Sequence, residues 1–81
     1  MAKYSVTIKT NHETFKGKGD TAIEALRSIP KPFKVMWEAV VTLEKDNKKS
    51  EVLMYPTRLR RLFYNKMFQE IQMNKLCTIM K

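Results

Sequence analysis

The chain has 81 residues, with 16 Lys+Arg against 8 Asp+Glu and 43% hydrophobic residues; that length allows one domain over residues 1–81 with a modest core, and that apolar fraction excludes a disordered chain. The single cysteine, Cys77, excludes an intramolecular disulfide and suits a reducing, cytoplasmic setting. No apolar run approaches the roughly 18–20 residues of a membrane span, and no charged-then-apolar leader opens the sequence, so no membrane association is expected.

Tyr4, Val6 and Ile8 alternate with Ser5, Thr7 and Lys9, the period of two of a half-buried strand. Asn11-His12 marks a tight hairpin turn, because Asn tolerates a left-handed backbone. The return strand runs from Thr14 to Lys18 with Phe15 inward. Lys16 and Lys18 then lie on the wet side, where they also discourage pairing at a sheet edge. Thr21 and Glu24 have capping-box spacing, which predicts a helix start. Ala22, Ile23, Ala25, Leu26 and Ile29 form its apolar stripe, and Pro30-Lys31-Pro32 stops it.

A second hairpin follows. Phe33, Val35, Trp37, Ala39, Val41 and Leu43 share one parity, which places Trp37 in the core. Lys45 to Lys49 is a polar turn, and Ser50 to Tyr55 is the partner strand. Pro56 breaks it, and Thr57 is the expected N-cap of a long helix from Arg58 to about Asn74. Leu76 to Met80 can extend that helix, add a strand or fray. The order is ββαββα, which predicts a two-layer α+β domain: an antiparallel sheet with two helices on one face.

The last helix carries more apolar surface than one sheet contact requires. Leu59, Leu62 and Phe63 lie together, Tyr64, Met67, Phe68 and Ile71 extend the arc, and Met73, Leu76, Cys77 and Met80 return toward its start. Arg58, Arg61, Asn65, Gln69 and Gln72 keep a narrow polar face. The apolar arc is about twice the 100° stripe of a surface helix. Either the first helix and the C-terminal tail cover the excess, or the helix bends near Asn65, or Tyr64, Met67, Phe68, Ile71 and Met73 form a surface for a protein partner or a second copy.

Charge concentrates in the same region, with six bases against one acid from Pro56 to Lys81. Three of the four arginines are Arg58, Arg60 and Arg61. In a first helical turn each cation is unfavourable by about 0.3–1 kcal/mol. Glu38, Glu44 or Glu51 must neutralise them, or an anion must dock there. Tyr55, beside the cluster, could stack on a base.

Catalytic chemistry finds no support. His12 is far in sequence from Cys77, and a zinc site would normally need four Cys or His ligands where the chain has one of each. Glu13, Asp20 and Glu24 read as turn and cap residues, and Lys16-Gly17-Lys18-Gly19-Asp20-Thr21 lacks the spacing of a phosphate-binding loop. The leading expectation is a small nucleic-acid-binding protein or accessory subunit, neither enzymatic nor cofactor-dependent. Arg58, Arg60, Arg61 and Lys66 would grip phosphates, with Lys16, Lys18, Lys48 and Lys49 as outlying contacts. The alternative is a protein-interaction module, either a homodimer or a phage or mobile-element factor that docks on a host protein through the C-terminal helix.

Overall fold

A computed structural model of the chain describes residues 3–31 and 36–80. The opening alternation forms β1 (Tyr4–Lys9) and β2 (Thr14–Gly19), followed by the short helix α1 (Ala22–Arg27). The second alternation forms β3 (Ala39–Lys45) and β4 (Lys48–Met54), followed by α2 (Pro56–Tyr64) and α3 (Lys66–Ile79). The four strands make one antiparallel sheet in the order β2-β1-β3-β4. The two hairpins therefore join through their first strands, with Thr7 opposite Thr42 near the middle of the seam.

Strand parity separates the faces. Val6, Ile8, Ala39, Val41, Leu43, Ser50 and Met54 are buried beneath the helices. The opposite face carries Lys16, Lys18, Thr42, Glu44, Lys49 and Glu51, so among the described residues the sheet is covered on one side only, as antiparallel sheets allow. The core joins these strand residues to Ala25 and Leu26 of α1, Leu59, Leu62 and Phe63 of α2, and Met73 and Leu76 of α3.

Local chemistry explains several boundaries. The Thr21 hydroxyl accepts from the Glu24 amide at 3.1 Å, while the Glu24 carboxylate accepts from the Asp20 amide at 3.2 Å. This is a capping box shifted by one residue at its return bond. The β1–β2 turn is held by Thr10, whose hydroxyl accepts from the amides of His12 and Glu13 at 3.1 and 2.8 Å. Asn11 needs no left-handed backbone there. Among the described residues only Asp46 has positive φ, at 55°, in the two-residue turn between β3 and β4. Lys45, Lys48 and Lys49, read as turn residues from their polarity, belong to the strands instead.

The expected single long helix is two. Pro56 occupies the first turn of α2, where its missing N–H costs nothing; Tyr55, not Thr57, is the N-cap. Asn65 is extended, with φ −111° and ψ 111°, and its amide donates to the Arg61 carbonyl at 2.8 Å. Its side chain then accepts from the Phe68 amide at 3.0 Å and caps α3. Leu76 to Ile79 continue α3, and Leu76 and Met80 are buried, so the tail is neither a strand nor frayed over these residues. β3 begins at Ala39, which leaves Trp37 outside it and 42% exposed. The expected inward positions Phe33 and Val35 lie outside the described residues.

Candidate anion-binding face of the helical layer

Leu59, Leu62 and Phe63 anchor α2 to the core. At about 100° per residue, Arg58, Arg60 and Arg61 fall on the remaining outward arc, which also holds Thr57 and Tyr64. All three arginines are exposed. Their side chains make no ion pair, hydrogen bond or ring contact with a described residue, so Glu38, Glu44 and Glu51 do not neutralise them. Glu70 is the one acid in α2 and α3 together.

The expected place of the three in a first helical turn needs correction. Because α2 spans only nine residues, Arg61 sits in its last turn, where a cation meets the negative end of the helix dipole favourably. Arg58 alone remains in the unfavourable first turn. The cluster is thus a charged outer arc rather than a cationic helix start. Lys66 is exposed at the beginning of α3 and extends this basic surface past the Asn65 joint.

The outlying lysines do not join it. Lys16, Lys18 and Lys49 occupy the uncovered face of the sheet, each paired across strands with a residue of that face. Lys48 is exposed beside the β3–β4 turn with the opposite parity. One nucleic-acid backbone lying along α2 would not reach the uncovered sheet face as well.

The proposed apolar partner surface also divides. Tyr64, Met67 and Ile71 are exposed, the last two at 73% and 50% and one turn apart on α3. Phe68 is half-buried against the core, and Met73 is fully buried. Met73 is a packing residue, not an interface residue. Gln69 and Gln72, expected on the wet face, are buried. The Gln69 amide donates to the Phe63 carbonyl at 3.2 Å, and its oxygen accepts from Arg27 Nε at 3.3 Å. Gln69 therefore occupies an otherwise unpaired carbonyl at the end of α2. Sequence periodicity missed this residue because a buried glutamine looks like a solvated one until its partners are placed.

Other candidates separate or change meaning. His12 lies in the β1–β2 turn, where its ring meets Trp37 at 4.5 Å between centroids. Cys77 is exposed and lines a depression with Lys3, Tyr4 and Asp20 at the other end of the sheet. Gly17 and Gly19 lie in a strand beneath α1 and are not part of a phosphate loop: a Cβ on either would overlap α1. Among the described residues no three His, Cys, Asp or Glu side chains converge as metal ligands, and no helix is long and apolar enough to cross a membrane. No family model, curated protein or solved structure matches the chain.

Proposed function

We propose that the protein is a small non-enzymatic nucleic-acid-binding protein or accessory subunit that grips the phosphate backbone through α2 and the start of α3. The observation that carries this reading is the outward arc of α2, with three exposed guanidinium groups and no carboxylate partner among the described residues. Guanidinium is planar and offers paired N–H donors matched to phosphate oxygens, whereas scattered lysines serve solubility equally well. Contacts of this kind are salt-sensitive and indifferent to sequence. A reducing, cytoplasmic compartment fits the reading, since it keeps the exposed Cys77 thiol reduced.

Four phosphate contacts, from Arg58, Arg60, Arg61 and Lys66, give an affinity for duplex DNA that falls about 150-fold between 50 and 200 mM salt, at a slope of about −0.9 per contact. Titration of labelled single- and double-stranded nucleic acid at both salt concentrations checks this. Arg60→Ala with Arg61→Ala should flatten the duplex slope by about two. Absence of binding at 50 mM salt defeats the reading.

A second reading has its own support in the exposed Tyr64, Met67 and Ile71. These fit a protein contact, as a homodimer or as a phage or mobile-element factor on a host protein. Sedimentation at two concentrations discriminates: a dimer abolished by Ile71→Glu favours it, and a monomer at both concentrations removes the homodimer.

A further inference from the structure

A second basic feature lies where the end of α1 meets the joint between α2 and α3. A groove of about 240 Å³ opens there. Leu26, Ile29 and Leu62 contribute core residues to its lining, and its charged lining residues are Arg27, Lys31 and Lys66. Arg27 and Lys31 come from the end of α1 and the stretch just after it, Lys66 from the start of α3, and among the described residues no acid lines the groove. None of the three makes an ion pair with a described residue. The volume is below the roughly 300–1,000 Å³ of pockets that enclose a drug-sized ligand, so the groove suits a compact charged group.

Two of the three cations are held in place. Arg27 Nε donates to Gln69 Oε1 at 3.3 Å, and Gln69, only 6% exposed, is itself fixed by its bond to the Phe63 carbonyl. That bond uses Nε of the guanidinium and leaves its two terminal amino groups as donors. Lys31 Nζ sits 5.3 Å from the centre of the Tyr64 ring, another lining residue. Fixing a guanidinium before its ligand arrives reduces the ordering cost of binding.

We propose that this groove is a seat for a single phosphoryl group, with Arg27 as the oriented fork and Lys31 and Lys66 as flanking charges. A phosphate monoester carries about −1.5 to −2 at neutral pH, which matches three cations lining one groove better than a lone carboxylate does. The proposal goes beyond the α2 surface and, of its cations, shares only Lys66 with it. The group can be the terminal phosphate of a nucleic-acid strand or a free phosphate ester.

The test uses the whole chain labelled with ¹⁵N, titrated with inorganic phosphate against chloride at matched ionic strength. Saturable shifts centred on Arg27 Nε and the amides of Lys31 and Lys66, seen with phosphate alone, are expected. Arg27→Ala should weaken phosphate binding about tenfold or more, the cost of a charge-assisted pair of hydrogen bonds. Arg27→Lys, which keeps the charge and loses the fork, should recover only part of it. Both substitutions are at an exposed position, and unchanged amide dispersion confirms their folding. Tighter binding of a 5′-phosphorylated oligonucleotide than of its 5′-hydroxyl counterpart, lost in Arg27→Ala, supports the seat and assigns it to a strand end. Equal binding of the two, with phosphate saturation intact, supports it and assigns it to a free ester. Non-saturating shifts spread over all basic residues, or equal shifts with chloride, overturn the seat. Duplex binding that still depends on Arg60 and Arg61 in that event leaves the α2 reading standing. Phosphate saturation without duplex binding does the reverse.

Discussion

Gly17 lies under α1 where a side chain has no space: a Cβ there would overlap the Ala25 carbonyl oxygen and the Ser28 hydroxyl. Gly17→Ala should therefore force α1 off the sheet and lower stability by about 1–3 kcal/mol, the range for overpacked cores. Urea denaturation checks this, and an unchanged midpoint would mean that α1 shifts without cost. The Lys-Gly-Lys-Gly run superficially resembles part of a phosphate-binding loop, and only the helix packed above it gives its glycines a purpose. Gln69 is a second case. Its partner Arg27 is 42 positions away, so no local pattern distinguishes it from a solvated glutamine. Replacement by Leu removes the partners of both the Phe63 carbonyl and Arg27 Nε, and should cost about 1–3 kcal/mol if the carbonyl stays buried. Thermal unfolding measures it. By contrast, the Thr21–Glu24 cap was legible, because every atom it uses lies within five residues.

At the scale of elements, the strands were readable wherever one face is buried and the other is wet, as in β1 and the inner part of β3. Alternation failed at Trp37, whose phase is inward yet whose ring meets His12 instead of the core. A side chain before the start of a strand is not bound by that strand's parity. The doubled apolar arc near the C-terminus had a definite cause. α2 has an ordinary stripe of Leu59, Leu62 and Phe63, and the extended Asn65 joint breaks the phase before α3, whose inward face is Gln69, Gln72, Met73 and Leu76. Gln69 and Gln72 are therefore buried while Met67 and Ile71 stay outside. The joint depends on a short polar side chain that accepts the Phe68 amide. Asn65→Ala should cost about 0.5–2 kcal/mol through the lost cap, measurable by denaturant unfolding. A stabilised variant with higher helix content would mean that α2 and α3 have fused, and that Asn65 interrupts a helix the rest of the sequence favours.

For the whole molecule, the question is whether binding follows net charge or its placement. Composition gives +8 at neutral pH and cannot distinguish lysines on an uncovered sheet from arginines on a helical layer. The folded chain separates them: Lys16 and Lys18 project from the uncovered face of β2, whereas Arg60 and Arg61 project from α2 on the other side of the core. The shortest dimension of the molecule is 18 Å, about two screening lengths at physiological salt. Charges on one face therefore contribute little to the potential felt on the other. Lys16→Ala with Lys18→Ala, and Arg60→Ala with Arg61→Ala, each remove two positive charges. If nucleic acid docks along α2, the arginine pair should lower duplex affinity and reduce the salt slope by about two, while the lysine pair leaves that slope unchanged. Equal losses from both pairs, measured by fluorescence anisotropy over the same salt series, would mean that the protein binds polyanions by net charge, with no preferred face.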